Sequence, residues 1–522
     1  MCKTWRRTLS YWQRRNISGP RPVPFYGNTY SLALKPGPVV ELEWYKKYGK
    51  LFGVYNMSKP ALTVAEPSLV KQVLVKEFHR FCNRSEAGGG HPVVEKNLFN
   101  ARDEHWKRIR AIASPVFTSG KLKRMLKLIN GCARDMTSSL NGQMGADGLC
   151  ELDIKQMMGA FTMDVIASTA FATKINTYGD PNNRFTACAR NIFNSSALSS
   201  LVLATLPKWP IVVWIRRWLG FGNAADANFI IDFSRQLIAK RKRLAEKHDD
   251  FVQLLIDVER VDTNNNPNTS PDSKGTDVGA HHLMDSSSAD ELTAERQALA
   301  GVVSTAKKLT TDEILAQCFL FILGGYETTS NTLAFCAYEL ALNPGIQDRL
   351  REEISDAAVD HTGDIDYETL SRLPLLDAVV SETLRKYPPL VRVEREAMED
   401  VVLTDDTLGL SVRVEKGVYA EIPVYAIHHD PDYFPDPFAF RPDRFLPKNR
   451  HNIKPYTYMP FGAGPRNCLG MRFALFQTKL AMVKLIKQFY FYQVSNTNVP
   501  IVFNKRRGLV QGQSIIVGVG RK

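Results

Sequence analysis

At 522 residues, 44% of them apolar and 10% aromatic, the chain can bury a large core; length alone would suggest about three domains, yet no linker divides it into compact thirds. Lysine and arginine outnumber the acids 67 to 54, and the net charge of +13 suits an acidic partner protein or an anionic membrane surface. No basic-aromatic module accompanies that charge, which argues against nucleic acid, and the eight cysteines follow no framework spacing, as expected of reduced thiols in a cytosol-facing protein.

Residues 1–18, MCKTWRRTLSYWQRRNIS, are basic and aromatic with no long apolar run. A spanning helix needs roughly twenty apolar residues, so two readings stand. One is an interfacial segment using Trp5, Leu9, Tyr11 and Trp12. The other is an arginine-rich, acid-poor transit peptide. Residues 19–28 carry Pro20, Pro22 and Pro24 and predict a stiff extended hinge. Residues 29–522 then read as one domain with a flexible insertion at about 261–290. Leu51 to Val64 alternates like a hairpin with Lys59-Pro60 near its turn. Helical spacing dominates from Pro67 to Gln253, where Trp106 and Arg110, four apart, share a helix face. Ala197–Gly222 is unusually apolar, but Pro207, Pro210, Lys208, Arg216 and Arg217 interrupt it. It predicts a patch dipping into a membrane with tryptophans at headgroup level.

From Val261 to about Asp290 the chain turns rich in Asn, Ser, Asp and Gly, the composition of a mobile insertion; His281-His282 within it reads as a solvated pair. Thr310-Thr311-Asp312-Glu313 is a capping box, opening a helix that continues to about Leu342. Its first half, Ile314 to Leu323, is apolar on nearly all sides and so passes through the core. Gly324-Gly325-Tyr326-Glu327-Thr328-Thr329 breaks that pattern. Two glycines cost about 1 kcal/mol each in a helix interior, threonine hydroxyls bend helices, and a buried glutamate is costlier still. Such a local violation marks a functional compromise. Leu375–Tyr387 is a further helix, stopped by Pro388-Pro389, on which Glu382 and Arg385 face each other at i,i+3. Val418–Ile427 predicts strand.

The decamer from Phe461 to Gly470, FGAGPRNCLG, is a glycine-punctuated loop carrying one cysteine. Apolar residues at Leu469, Phe473, Phe476, Leu480 and Val483 then trace one face of a helix. Cys468 thus stands at or just before a helix N-terminus, where the dipole and free N–H groups favour an anionic sulfur. Such a thiolate is a nucleophile or a metal ligand. A phosphatase-type cysteine wants its glycines and arginine after the sulfur, and a zinc site wants further Cys or His nearby; neither is present. The decamer resembles the haem-binding pattern F-x-x-G-x-R-x-C-x-G of the cytochromes P-450 through Phe461, Gly464, Arg466, Cys468 and Gly470. Thiolate ligation of haem iron is that family's general property and comes with the resemblance. Gly324–Thr329 resembles the family's [AG]-G-x-[DE]-T-[TS], Glu382 and Arg385 its E-x-x-R, and Trp106 and Arg110 its W-x-x-x-R.

The resemblance, closest to animal microsomal drug-metabolising members, implies a mainly α fold with a smaller β-rich lobe. Haem b would lie between the long helix and the Cys468 loop. It implies that Cys468 ligates the iron, and that Arg84, Trp106, Arg110 and Arg395 serve the haem propionates alongside Phe461, Arg466 and Gly470 of the loop. Thr328 and Glu327 become the pair that handles dioxygen and its protons, and Glu382, Arg385 and Arg444 a structural triad. The implied reaction is insertion of one oxygen atom of O2 into an apolar sterol, fatty acid or xenobiotic. Electrons would come from NADPH through the FAD/FMN of NADPH–cytochrome P-450 reductase, with cytochrome b5 a second donor. Lys107, Arg108 and Lys479 are implied docking cations. The implied place is the cytosolic face of the endoplasmic reticulum membrane, with the mitochondrion as alternative. Two rival activities stand: a haem-thiolate isomerase or dehydratase acting on a peroxide without a reductase, and a non-enzymatic haem sensor.

Overall fold

The computed structural model describes residues 8–85, 91–175, 177–180, 183–193, 224–244, 248, 250–260, 288–299, 308–357, 364–505 and 508–522. The apolar patch 197–222, the histidine pair 281–282, Trp5 and the insertion as far as residue 287 lie outside the described residues.

Helix α1 (Gly37–Tyr48) leads into the hairpin β1 (Leu51–Asn56) and β2 (Lys59–Val64), in register from Leu51 opposite Val64 to Asn56 opposite Lys59. Its turn is Met57-Ser58, with Met57 at φ 57°. Helices α2 (Asp103–Ala113) and α3 (Ser119–Gly142) follow, then strand β3 (Leu149–Asp153) and helices α4 (Ile154–Phe171), α5 (Arg184–Phe193), α6 (Ala224–Leu244) and α7 (Phe251–Arg260). The residues of β3, Leu149-Cys150-Glu151-Leu152-Asp153, do not alternate strictly, so no period of two marked it within the helical pattern. Next come α8 (Ser288–Leu299), the long α9 (Thr311–Leu342), α10 (Pro344–Ser355) and α11 (Pro374–Lys386). Strands β4 (Val393–Glu396), β5 (Val401–Asp405), β6 (Leu410–Val414) and β7 (Tyr419–Ile422) precede α12 (Met471–Gln488), β8 (Phe489–Tyr492) and β9 (Ile516–Arg521). The sheets are small: β1-β2-β7-β4, with β2 and β7 parallel; β3-β9-β8; and the pair β5-β6. One apolar cluster unites the helices and a second builds the β lobe. The architecture is mainly α with a smaller β-rich lobe, as the motifs implied.

Helix α9 forms where its capping box predicts. The Glu313 N–H donates to the Thr310 hydroxyl at 3.3 Å and the Thr310 N–H to the Glu313 carboxylate at 2.7 Å, satisfying two otherwise orphaned donors. Its 32 residues, about 48 Å at 1.5 Å each, run through the helical core against α4.

Two expectations need correction. Trp12 is not at a membrane surface: it is 2% exposed, and its indole N–H donates to the Val54 carbonyl at 3.0 Å. Its ring covers Gly53, where a Cβ would lie 2.2 Å away. Leu9 and Tyr11 pack beside it on the β lobe, and Tyr11 donates to Glu415. A buried indole contributes a large apolar area once its N–H has a partner, as it has here. The proline-rich stretch that follows runs beside β1: the Gly53 N–H donates to the Ser18 carbonyl at 2.8 Å, and the Asn28 amide to the Pro20 carbonyl at 3.1 Å. The strand expected over Val418–Ile427 stops at Ile422, because Pro423 has no N–H for the ladder, and Val424–His428 turns helical. Among the described residues no helix is long and apolar enough to cross a membrane.

Candidate active site

The Cys468 loop is closed by its own backbone. The Cys468 N–H donates to the Phe461 carbonyl at 2.9 Å, and the Asn467 N–H to the Gly464 carbonyl at 2.9 Å. Gly464 has φ +70°, and a Cβ there would sit 1.9 Å from the Leu74 carbonyl oxygen, so only glycine fits. Helix α12 starts at Met471 with Gly470 as N-cap, which puts Cys468 just ahead of the helix as expected. The thiol has open surface, and Cys468 lines a cavity. Burial pushes the thiol pKa up, and the Gly470 N–H, Arg110 and Arg84 pull it down without prevailing. The dipole alone therefore does not make the sulfur anionic; a bound metal cation reverses that balance.

The cavity, about 600 Å³ and within the range of cofactor sites, lies between the loop and the middle of α9. From α9 come Gly324, Gly325, Thr328, Thr329 and Thr332. Gly324 has nothing within 4 Å of where a Cβ would be, so the helix backbone itself faces open space. The Thr328 hydroxyl donates to the Gly324 carbonyl at 2.5 Å and the Thr332 hydroxyl to the Thr328 carbonyl at 3.0 Å, the back-bonding expected of this segment. Phe117, Phe251, Phe321 and Phe473 pack together along one wall, centroids 4.8–5.7 Å apart. Glu327 points elsewhere. It is 3% exposed, outside the cavity lining, and accepts from Lys155 Nζ at 2.6 Å and the Gln511 amide at 2.5 Å. The α9 residues on the cavity are Gly324, Gly325, Thr328, Thr329 and Thr332, while Glu327 lies on the side facing Lys155 and Gln511.

Arg84, Arg110, Arg395 and Arg466 all line the cavity. The Arg466 guanidinium lies 4.5 Å from the Trp106 ring centroid. Arg110 donates to the Asn467 carbonyl at 3.0 Å and pairs with Glu295, while Arg84 donates to the carbonyls of Phe99 (3.0 Å) and Arg466 (3.1 Å). Burial lowers Arg395 to about 10, and burial together with Arg395 lowers Arg466 to about 9. Arg84 falls well below its ordinary value through burial and then through Arg395, Arg466 and Arg110. Arg395 Nε and Arg466 Nε and Nη1 are buried with no partner among the described residues. Unpaired buried guanidinium N–H groups are costly. Their convergence fits a ligand carrying carboxylates, set beside a single thiol and a glycine-lined wall.

The family model of cytochrome P-450 matches residues 17–516. The chain is 36% identical over 501 residues to human cytochrome P-450 3A7, covering 95% of this chain and 89% of the relative. It is 36% identical over 509 residues to cytochrome P-450 3A9 of Rattus norvegicus (96% and 90%), and 34% over 511 to cytochrome P-450 3A29 of Sus scrofa (97% and 91%). The chain belongs to the cytochrome P-450 family. It is a haem-thiolate monooxygenase whose cofactor is haem b, and the thiol, the glycines and the unpaired guanidinium groups above suit that group.

Behind the loop of this P-450, Glu382 and Arg385 are fully buried and paired twice, at 2.8 and 2.9 Å. Arg444 Nε stands 3.5 Å from the same carboxylate, so all three residues of the triad meet. His428, which no motif flagged, joins the triad to the cysteine loop. Arg385 Nη1 donates to the His428 carbonyl at 2.8 Å, His428 Nδ1 meets the Arg385 carbonyl at 3.0 Å, and the Met459 N–H donates to His428 Nε2 at 2.9 Å. The Met459 donation places the ring proton on Nδ1. Gln477 of α12, also unflagged, donates to the Thr329 hydroxyl of α9 at 3.0 Å, joining the two helices where both line the cavity. Only spatial proximity identifies these two; a buried histidine and glutamine on apolar stretches were the sole hints. Each of the expected docking cations has a partner within the chain: Lys107 with Glu104, Arg108 with Glu313 and Lys479 with Asp377.

Proposed function

We propose that this P-450 hydroxylates large apolar molecules, steroids or xenobiotics, using electrons from NADPH delivered by NADPH–cytochrome P-450 reductase, with cytochrome b5 as a second donor. Its place is the cytosolic face of the endoplasmic reticulum. The observation that carries the substrate class is the wall of Phe117, Phe251, Phe321 and Phe473, which adjoins the Gly324–Thr328 face of α9. Such a wall binds by burial of apolar surface and selects by shape.

Haem, when bound, supplies activation of dioxygen for insertion into a C–H bond. Cys468 holds the iron, and the Gly470 N–H tempers the sulfur's basicity. Arg84, Arg110, Arg395 and Arg466 neutralise the propionates, with Trp106 stacked under Arg466. Phe461 and Gly470 flank the sulfur. The Thr328 hydroxyl gives up its bond to Gly324 to donate a proton toward the cavity. Glu327 fixes α9 through Lys155 and Gln511, and its carboxylate reaches the cavity only by leaving Lys155.

Titrating the purified holoprotein with a steroid, a fatty acid and a bulky xenobiotic tests this. The steroid or xenobiotic should shift the haem spin state and drive NADPH consumption with reductase. A response to the fatty acid alone would refute the substrate class.

A further inference from the structure

The guanidinium groups of Arg84, Arg110, Arg395 and Arg466 carry like charges, so their convergence on one cavity needs contacts that hold each in place. They come from four separate segments: the stretch after Phe81, helix α2, strand β4 and the Cys468 loop. One residue outside the cavity lining meets all four segments. It is Asn83, 0% exposed.

Asn83 directly precedes Arg84, and its carbonyl accepts the Glu396 N–H at 2.8 Å, one residue from Arg395 on β4. Its side chain faces the start of α2. Asn83 Oδ1 accepts the Asp103 N–H at 3.0 Å, and Nδ2 donates to the Asp103 carboxylate at 2.7 Å. An N–H only donates and a carboxylate only accepts, so these two bonds fix which way the amide points. Asp103 opens α2 at φ 47°, a left-handed conformation uncommon for a residue with a side chain, and Arg102 at the N-cap position makes no side-chain cap bond. The cap is supplied instead from twenty residues upstream. Asn83 Oδ1 also accepts from Arg466 Nη2 at 3.4 Å, and the same nitrogen donates to the Ala101 carbonyl at 2.7 Å. With Nη2 tied, Nε and Nη1 are the Arg466 nitrogens left unpartnered.

We infer that Asn83 is a positioning residue for the haem carboxylates: it locks α2, β4 and the Cys468 loop in the one arrangement that offers the free N–H groups of Arg466 and Arg395 to the cavity. The inference rests on the reading that these arginines hold the propionates. A neutral amide suits the task, because it donates to one partner and accepts from others without adding a charge among the arginines. A fixed cation beside a one-electron centre favours its reduced form, so releasing Arg466 lowers the reduction potential.

The test is the midpoint potential of the holoprotein, by spectroelectrochemical titration, for wild type, Asn83→Ala, Asn83→Asp, Arg466→Gln and Gln347→Ala. Gln347 is the matched control: a side-chain amide, 3% exposed and outside the cavity lining, that bonds the Phe491 N–H at 2.8 Å and the Phe491 carbonyl at 2.9 Å. At a fixed applied potential the ferrous-to-ferric ratio of Asn83→Ala should fall about tenfold, roughly 59 mV for one electron, and haem should pass to excess apomyoglobin faster. Asn83→Asp sets a second carboxylate against Asp103 and an anion on Arg466, and should lower the ratio in the same direction. Gln347→Ala should unfold at lower urea yet keep the wild-type potential. A wild-type or higher potential in either haem-loaded position-83 variant overturns the inference, as does an equal shift in Gln347→Ala. Failure of both position-83 variants to fold overturns it too, since Asn83 would then serve folding alone, whereas folded variants that have lost haem support it. If Arg466→Gln keeps the wild-type potential, the reading of the arginines fails and takes the inference with it; a shift there without one at position 83 sinks the inference only.

Discussion

Replacing Glu382 by Gln keeps the shape of the side chain and removes one charge from the interior. Both partners of the Glu382–Arg385 pair are 0% exposed, and the carboxylate also accepts the Arg441 N–H at 2.9 Å. In the variant the Arg385 guanidinium stays buried without its anion, and Arg444, 3.5 Å from the same site, adds a second cation. Breaking a fully buried pair from one side costs about 3–5 kcal/mol, a large part of a total stability of roughly 5–15 kcal/mol. The loss propagates, because Arg385 holds the His428 carbonyl and the His428 ring holds the Met459 N–H, two residues ahead of Phe461. The internal control is Asp443→Asn, which breaks a pair with Arg349 of similar length, 2.8 Å, at side-chain exposures of 48% and 50%. That loss should stay below about 1 kcal/mol. Urea unfolding, followed in parallel with the lifetime of the thiolate-type spectrum of the reduced carbon-monoxide adduct, compares the two. A Glu382→Gln protein no less stable than Asp443→Asn, with an equally long-lived spectrum, would refute the reasoning.

Cys468→Ser should abolish the thiolate-type spectrum of the reduced carbon-monoxide adduct while leaving far-ultraviolet circular dichroism intact; a surviving spectrum removes Cys468 as the ligand. Thr328→Ala should keep haem but lower product formation by roughly a hundredfold, the scale for a lost proton donor, with NADPH-derived electrons released as hydrogen peroxide; unchanged coupling counts against its role. Burial lowers His428 from 6.5 to about 3 and lowers His429 as well. A depressed folded pKa means stability is fully present above pH 6.5 and is lost as pH falls, because the unfolded chain takes up the proton first. His428 alone should cost about 1.4 kcal/mol per pH unit, so roughly 2 kcal/mol at pH 5. Denaturant melts at pH 7 and pH 5 measure this, and a slope left unchanged by His428→Gln refutes it.

What was legible in the chain is what depends on neighbours in sequence. The capping box at Thr310 specifies α9 because both of its hydrogen bonds close within four residues, and the Cys468 loop is readable because its glycines answer to local φ and a close backbone approach. Glu382 and Arg385 were visible as an i,i+3 pair, but not as a buried one, since burial comes from segments more than forty residues away. The errors share that cause. Trp12 and Tyr11 are amphipathic side chains that suit a membrane surface or a protein core equally well, and only the bare Gly53 of β1, some forty residues on, makes the core the better place. The position of Glu327 depends on distant contacts in the same way. Glu327 is adjacent to Thr328 in sequence, but Lys155 and Gln511, each more than 170 residues distant, hold its carboxylate outside the cavity lining. A motif thus names which residues act near one site, whereas the partner that each one faces is decided by the tertiary contacts that reach it.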